Sequence, residues 1–468
     1  MIVPRTRLLL WIAVVVLPFA LLAAVEPSAM VISFAAIGIL AVLALVDGFA
    51  APAALAGISV EIPKVVRLSK DREGKLEVRI RNETQKPRTL RLALAMPREI
   101  RSLQEEATVA LPPASEWSRF PWACVPRKRG NFPLEIACLE TGSPFGFWAA
   151  RKKVPALSEV RVYPNLFTER KDLAALFLHR GTFGLHAQRQ VGKGREFEKL
   201  RDYIPGDGYD EVHWKATAKR GRPVTKVFQI ERTQEVYVIV DASRLSAREV
   251  APVAGPGLQV ASANPADTAY AQPPISNLQP ATTLERFITA ALVLGLAAEQ
   301  QADLFGLLTF AAKVDHFVRA KNGQAHYSAC RDALYTLQPQ AVSPDFDEVC
   351  AFIRQRLRRR ALLVFLTALD DPVAAESFVR NLELIRRQHL VLVNMLPPPG
   401  VSPVFSDPDV ASVDDLYRRL GGHLLWQDLR QLEKVLQRRG VRFCLLKNER
   451  LSAQLVSQYL NVKRRQAL

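Results

Sequence analysis

The stretch EVYVIVDASRLS, Glu235–Ser246, decides the fold. After Glu235 it runs through β-branched and aromatic residues without alternation and stops at Asp241. Such a run reads as a strand buried on both faces, which needs helices above and below it. Downstream the unit repeats: a helix at about 283–300, the strand LFGLLTF, a helix near 345–358, then the strand ALLVFLT. A helix over 373–388, the strands LVLVNML and VRFCLL, and a C-terminal helix follow. Alternating strand and helix predicts an α/β fold, a doubly wound parallel sheet over residues 235–468. Ligands of such sheets sit at the carboxyl ends of strands, which singles out Asp241 and Thr367–Asp371. Residues 251–281 hold six prolines, no Lys or Arg and one acid, Asp267, and are expected to form a flexible insertion.

Upstream the period changes. LEVRIRN, TLRLALAMP and FPLEIACLE alternate apolar and polar residues between prolines, predicting a small antiparallel β-sandwich over 58–165. Leu8–Val25 and Ala29–Val46 are each 18 residues without a charge, separated by Glu26, Pro27 and Ser28. Each is long enough to span a thin hydrocarbon core, so residues 1–50 read as a transmembrane hairpin contacting lipid through 8–46. Arg5 and Arg7 precede it, Lys64, Arg67, Lys70 and Arg72 follow it, and the connecting loop carries only Glu26. The positive-inside rule then puts both ends, and all that follows, on the cytoplasmic side of the membrane. Five widely spaced cysteines without a CxxC pair suit that reducing compartment. A net charge of +17 fits a soluble region held near anionic headgroups.

The common catalytic constellations are missing. VGKGREF lacks Walker A spacing, Gly142–Gly146 puts its serine one place too early for a nucleophile elbow, and the seven histidines form no HExxH pair. Asp241 and Ser243 form the first part of an Asp-x-Ser-x-Ser metal loop, but Leu245 replaces the second serine. Asp370 and Asp371 lie beyond Thr367-Ala368, and Ser343 and Asp345 near a middle loop. A carboxylate with hydroxyls suits a hard ion such as Mg2+, and Asp241, Ser243 and Asp370 are the candidate ligands. Asp241 as a plain cap of the following turn stays open beside that reading.

Residues 166–234 contain the most distinctive stretch, REFEKLRDYIPGDGYDEVHWKATAKRG, Arg195–Gly221. Arg195–Glu211 carries three basic and six acidic residues; Val212–Arg232 carries six basic and one acidic. The turn at Pro205-Gly206-Asp207-Gly208 is suited to fold one half on the other. The acidic half argues against a nucleic-acid grip, which favours continuous basic charge. The segment is expected to be an interdomain junction that a partner can also read, through Arg201, Tyr203, Pro205, Gly206, Asp207, His213, Trp214 and Lys215, with Tyr203 and Trp214 as apolar anchors. Two basic runs read as a solvated helix face, with Arg354 and Arg358 one turn apart, and a frayed tail at Lys463-Arg464-Arg465.

Glu196-Phe197, Arg201–Asp207 and Trp214–Lys219, with Ser143-Pro144-Phe145-Gly146-Phe147, resemble the bacterial "domain of unknown function 58" family. Its members join a membrane anchor and a β domain to a degenerate von Willebrand factor type A domain. Ser143 stands where the family has aspartate, Gly208 where an acid is common, and 251–281 is longer than the usual connection. The resemblance implies a non-catalytic adaptor or scaffold whose type A-like domain binds protein partners, a MoxR-type AAA+ ATPase first among them. Two other readings stay open: a metal-dependent hydrolase using Asp241 with Asp370 or Asp371, and a nucleic-acid-binding membrane protein.

Overall fold

A computed structural model describes residues 1–84, 87–113, 115–167, 169–170, 173–174, 191–205, 208–229, 234–250, 281–404 and 412–464, with the backbone alone at 191–199 and 227–229. The chain divides into two compact units, Met1–Asn165 and Leu166–Leu468.

The first unit opens with strand β1, Ile2–Pro4, and then two apolar helical segments, Thr6–Val25 and Pro27–Leu55. The first helix, α1 (Thr6–Val25), widens into a π-helical turn at Ile12–Val16 just before Pro18. Proline has no N–H to donate and its ring crowds the carbonyl four residues back, so the wider turn relieves a clash at Val14. The second helix, α2, is Met30–Ala50. Nine strands follow: β2 (Ile58–Glu61), β3 (Val65–Ser69), β4 (Gly74–Asn82), β5 (Arg88–Leu94), β6 (Ile100–Ser102), β7 (Ala107–Leu111), β8 (Trp117–Pro126), β9 (Gly130–Gly142) and β10 (Trp148–Tyr163). One sheet has the order β1-β10-β9-β5-β7 with β3 also on β10, the other β2-β4-β8-β6. Leu76, Val78, Ile80 and Trp122 of the smaller sheet share a core with Leu90, Leu92, Leu139, Val160 and Val162 of the larger. The arrangement is not wholly antiparallel as expected, because β3 runs parallel to β10. Nor does alternation account for β1, which pairs with β10 only because the hairpin returns the chain to its start.

In the second unit, β11 (Val191–Asp202) and β12 (Val224–Gln229) form an antiparallel ribbon that carries helix α3, Trp214–Arg220. The main sheet begins with β13, Glu235–Asp241. The short strands β14 (Glu249–Val250) and β15 (Ala281–Thr282) pair with each other and close the base of the expected insertion, whose residues 251–280 lie outside the described ones. Helix α4 (Thr283–Gln300) leads to β16 (Leu304–Phe310), β17 (Val314–Lys321) and helices α5 (Gln324–Leu334) and α6 (Phe346–Arg356). Strand β18 (Leu362–Leu366), helix α7 (Pro372–Leu382), strand β19 (Leu390–Met395), helix α8 (Val413–Arg438), strand β20 (Arg442–Leu445) and helix α9 (Leu451–Arg464) complete the chain.

The sheet order is β17-β16-β13-β18-β19-β20, all parallel except the edge strand β17. Val236, Val238 and Val240 point into a core with α4, α5 and α9, while Tyr237 and Ile239 point into a second core with α6, α7 and α8. That is why the strand carries no polar alternation: both faces are covered. Strand β17 and helices α5 and α8 go beyond the sequence expectations. The basic runs also differ from expectation: α6 ends at Arg356, so Arg358 lies off the helix. Lys463 belongs to α9 and pairs with the buried Asp303 at 2.8 Å, so it is no frayed tail.

Candidate functional site at the carboxyl edge of the sheet

From β13 the chain passes to β16 on one side and later to β18 on the other. The crevice at the carboxyl ends of β13 and β18 is therefore the topological switch point, where ligands of open parallel sheets bind. Asp241 ends β13 and Thr367 follows β18.

Asp241 is fully buried, with one oxygen accepting from the Thr367 hydroxyl at 2.6 Å and the other from the Ser243 N–H at 2.8 Å. Burial raises its pKa, because a charged carboxylate is costly away from water, and the Thr367 and Ser243 hydrogen bonds oppose that rise. Register places Thr309, Val240, Leu366 and Asn394 in one row across the sheet, a step before its carboxyl edge. Thr309 Oγ1 and both amide atoms of Asn394, with two strands between them on that row, are buried without a hydrogen-bond partner among the described residues.

The acids beyond Thr367 are held by arginines. Asp370 pairs with Arg248 at 2.6 Å, and Asp371 with Arg244 at 3.3 Å. Asp371 also caps α7 by accepting from the Val373 N–H, and Asp345 caps α6 by accepting from Glu348. The middle loop closes on the site through its backbone, with Gln340 N donating to Ala242 O and Arg244 N to Val342 O. For a hard cation, Asp241, Thr367, Ser243 and the unpartnered Asp370 Oδ1 are the available oxygens among the described residues. Asp370, the second acid of the expected set, has its charge balanced by Arg248 at Oδ2. Among the described residues no group of three or more His, Cys, Asp or Glu is placed to hold a metal ion. Beside Asp370 a cavity of about 280 Å³ is walled by Leu369, Leu425, Asp428 and Leu429.

The distinctive stretch lies on the ribbon and α3. Asp202 faces Val224 and Arg201 faces Thr225, so the acidic half folds onto the basic half, and Arg222 pairs with Asp202 at 3.1 Å. Tyr203 donates its N–H to Pro223 O. His213 caps α3, its Nδ1 accepting from the Ala216 N–H at 3.0 Å. Pro205 and Lys215 are exposed, and Gly206 and Asp207 lie outside the described residues. Trp214 is not the buried anchor expected of it: as the first residue after the cap it points outward and is 66% exposed.

Arg248, Thr309 and Asn394 were not among the sequence candidates. Thr309 and Asn394 had a visible signal, a lone polar residue near the carboxyl end of an otherwise apolar strand. Arg248 had none, since its partner Asp370 is remote in the chain.

Residues 199–249 and 278–401 match the family model described as protein of unknown function DUF58. No curated protein matches. Among solved structures, an aerotolerance-related membrane protein from Bacteroides fragilis is similar at 12% identity, covering 49% of this chain and 98% of that one, with a TM-score of 0.28. The conserved hypothetical protein BatB from Bacteroides thetaiotaomicron is similar at 14% identity, covering 50% and 99%, with a TM-score of 0.26.

Proposed function

We propose, from a chain that belongs to the DUF58 family through residues 199–249 and 278–401, a membrane-tethered, non-catalytic scaffold whose second unit is a von Willebrand factor type A-like module for protein partners. The hairpin holds it to the bacterial inner membrane with both units on the cytoplasmic side, and the partner class is a MoxR-type AAA+ ATPase. The observation that carries the reading is helix α8. Val413, Leu416, Tyr417, Leu420 and Leu424 recur along one face and are all exposed, at 68%, 50%, 68%, 49% and 55%. The rest of the helix packs normally through Leu429 and Leu436. An apolar stripe of that length left to water is the mark of a helix awaiting a protein surface. The next residue, Leu425, lines the cavity that reaches Asp370, so the stripe adjoins the carboxyl edge of the sheet.

The arginine pairs bear on catalysis. A carboxylate works best as a general base without a paired cation, and Arg248 and Arg244 each hold one oxygen of Asp370 and Asp371. These pairings support the scaffold reading over the hydrolase one.

The test is purification of the full-length chain from membranes of its own host with ATP and Mg2+ present, beside a Leu416→Ser/Leu420→Ser variant. Mass spectrometry should identify an AAA+ ATPase with the first and a loss of about tenfold or more with the second, the scale of hot-spot truncation. Equal recovery would move docking away from α8, and absence of an ATPase from both would remove the partner class.

A further inference from the structure

Both ends of the hairpin open onto one basic concavity. Arg5 directly precedes the apolar helix Thr6–Val25, and Ala50 ends α2. They line a cavity of about 730 Å³ together with Arg88, Arg91 and Glu140. A second cavity of about 450 Å³ shares Arg5, Arg91 and Glu140 and adds Arg7 and Arg151.

The charge here is unbalanced. Glu140 binds Arg151 at 2.6 Å and approaches Arg91 at 3.9 Å, and Glu106 lies 3.8 Å from Arg91. The Arg88 guanidinium donates to Ala54 O, which fixes its direction. Arg5 and Arg7 form no ion pair among the described residues. Five guanidinium groups thus face two carboxylates. Arg5 lies so close to Gly142 that a Cβ there would sit 2.6 Å from its Nη1, so the glycine leaves room for the guanidinium. Guanidinium forks suit phosphate oxygens, which they bind through paired, charge-assisted hydrogen bonds.

Depth selects the ligand. At about 1.5 Å per residue the helix Thr6–Val25 is as long as a hydrocarbon core is thick, so the residues just outside it lie among the headgroups. Pro144 lines the larger cavity, and the adjoining Phe145 is 55% exposed on the same turn, an aromatic at the level where interfacial rings settle. We propose that this concavity is a binding site for the phosphate-bearing headgroup of an anionic phospholipid, whose acyl chains lie along the exposed apolar faces of the hairpin. The proposal rests on the membrane-spanning reading of the hairpin and on no property of the carboxyl-edge site.

Full-length protein extracted from membranes is offered a mixture of phosphatidylglycerol and phosphatidylcholine, and the retained lipid is counted by native mass spectrometry. The wild type should retain phosphatidylglycerol preferentially. Arg5→Gln/Arg91→Gln should lower that preference by about fivefold per arginine, the scale of one basic residue at an anionic surface. Thr108→Glu, which adds a charge to the exposed cavity wall and removes no contact, should lower it in the same direction and guards against misfolding of the double variant. Arg354→Gln/Arg356→Gln, on α6 of the other unit, should leave it unchanged. Equal retention of both lipids by the wild type, or an unchanged preference in Thr108→Glu, overturns the proposal. Displacement of the lipid by excess inorganic phosphate also overturns it, because the site would then take free phosphate. Alkaline carbonate washing separates the premises: wild type released from membranes defeats the hairpin reading itself, while wild type retained without lipid preference defeats only the headgroup site.

Discussion

At Asp241 a single carboxyl group carries opposing demands. It holds Thr367 and Ser243 in place, yet burial raises its pKa above the ordinary 3.8. Between 3.8 and the raised value the folded chain binds more protons than the unfolded one, so this group's contribution to stability falls as pH rises through that window. Asp241→Asn keeps an oxygen for the Ser243 N–H and a donor for the Thr367 hydroxyl, and removes the charge. It should raise stability near neutral pH by roughly 1–2 kcal/mol, the scale of relieving a buried polar mismatch, and flatten the pH dependence above 3.8. Thermal melts of both forms over a pH series, without and with Mg2+, check this. Mg2+ stabilising the wild type and not the variant would reverse the sign and establish a cation at Asp241. Sequence spacing was enough to name Asp241 and Ser243 from the loop after β13. It could not show that Asp370 pairs with Arg248 through one oxygen, because that pairing joins residues far apart in the chain.

Among the elements, β13, α4 and β16 follow closely the bounds that residue pattern predicts, because their signals are local and uninterrupted. Helix α8 escaped notice for a physical reason. Gly421-Gly422 sit in its interior, where glycine ordinarily argues against a helix. Here Gly422 passes so near the backbone of the preceding loop that a Cβ would lie 2.0 Å from Gly400 O. Packing overrides propensity, and Ser412 starts the helix by accepting from the Asp415 N–H. At the other end of the unit, α9 is fastened by a buried carboxylate. Asp303 accepts from Lys463 at 2.8 Å, from the Gln234 N–H at 3.1 Å and from the Tyr459 hydroxyl. Burial and the Asp303 charge both push the Tyr459 phenol up, so it stays a neutral donor. Asp303→Ala leaves the half-buried Lys463 ammonium with Gln301 O alone and strands the buried Tyr459 hydroxyl, and should destabilise the second unit by about 1–3 kcal/mol, the cost of a buried unsatisfied group. Chemical denaturation followed by tryptophan fluorescence measures the loss. A change below about 1 kcal/mol, the range of exposed pairs, would mean the network adds nothing.

For the whole molecule, each of the two units has its own core. In the first, the hairpin and the sandwich are joined by a buried latch. Asp47 near the end of α2 accepts from the Ser143 hydroxyl and from the N–H groups of Phe145 and Phe147, the latter at 2.9 Å and 3.0 Å. Trp148 Nε1 donates to Ala44 O at 2.7 Å, and Arg5 N to Phe147 O at 2.8 Å. Asp47→Ala leaves three donors unsatisfied at about 1–3 kcal/mol each, and the turn should open to chymotrypsin at Phe145 and Phe147. The melting of the second unit should stay unchanged; loss of both together would mean the units fold as one. Local composition alone was sufficient for the apolar spans, the alternating strands and the buried parallel strands. Those are readings of windows a few residues wide, where hydrophobic period dictates which face is buried. The arginine pairs at the carboxyl edge, the unpaired stripe of α8 and the basic concavity at the foot of the hairpin had no such local signal. Each depends on which distant residues the chain path brings together, and on which apolar surface is left over once the cores have closed.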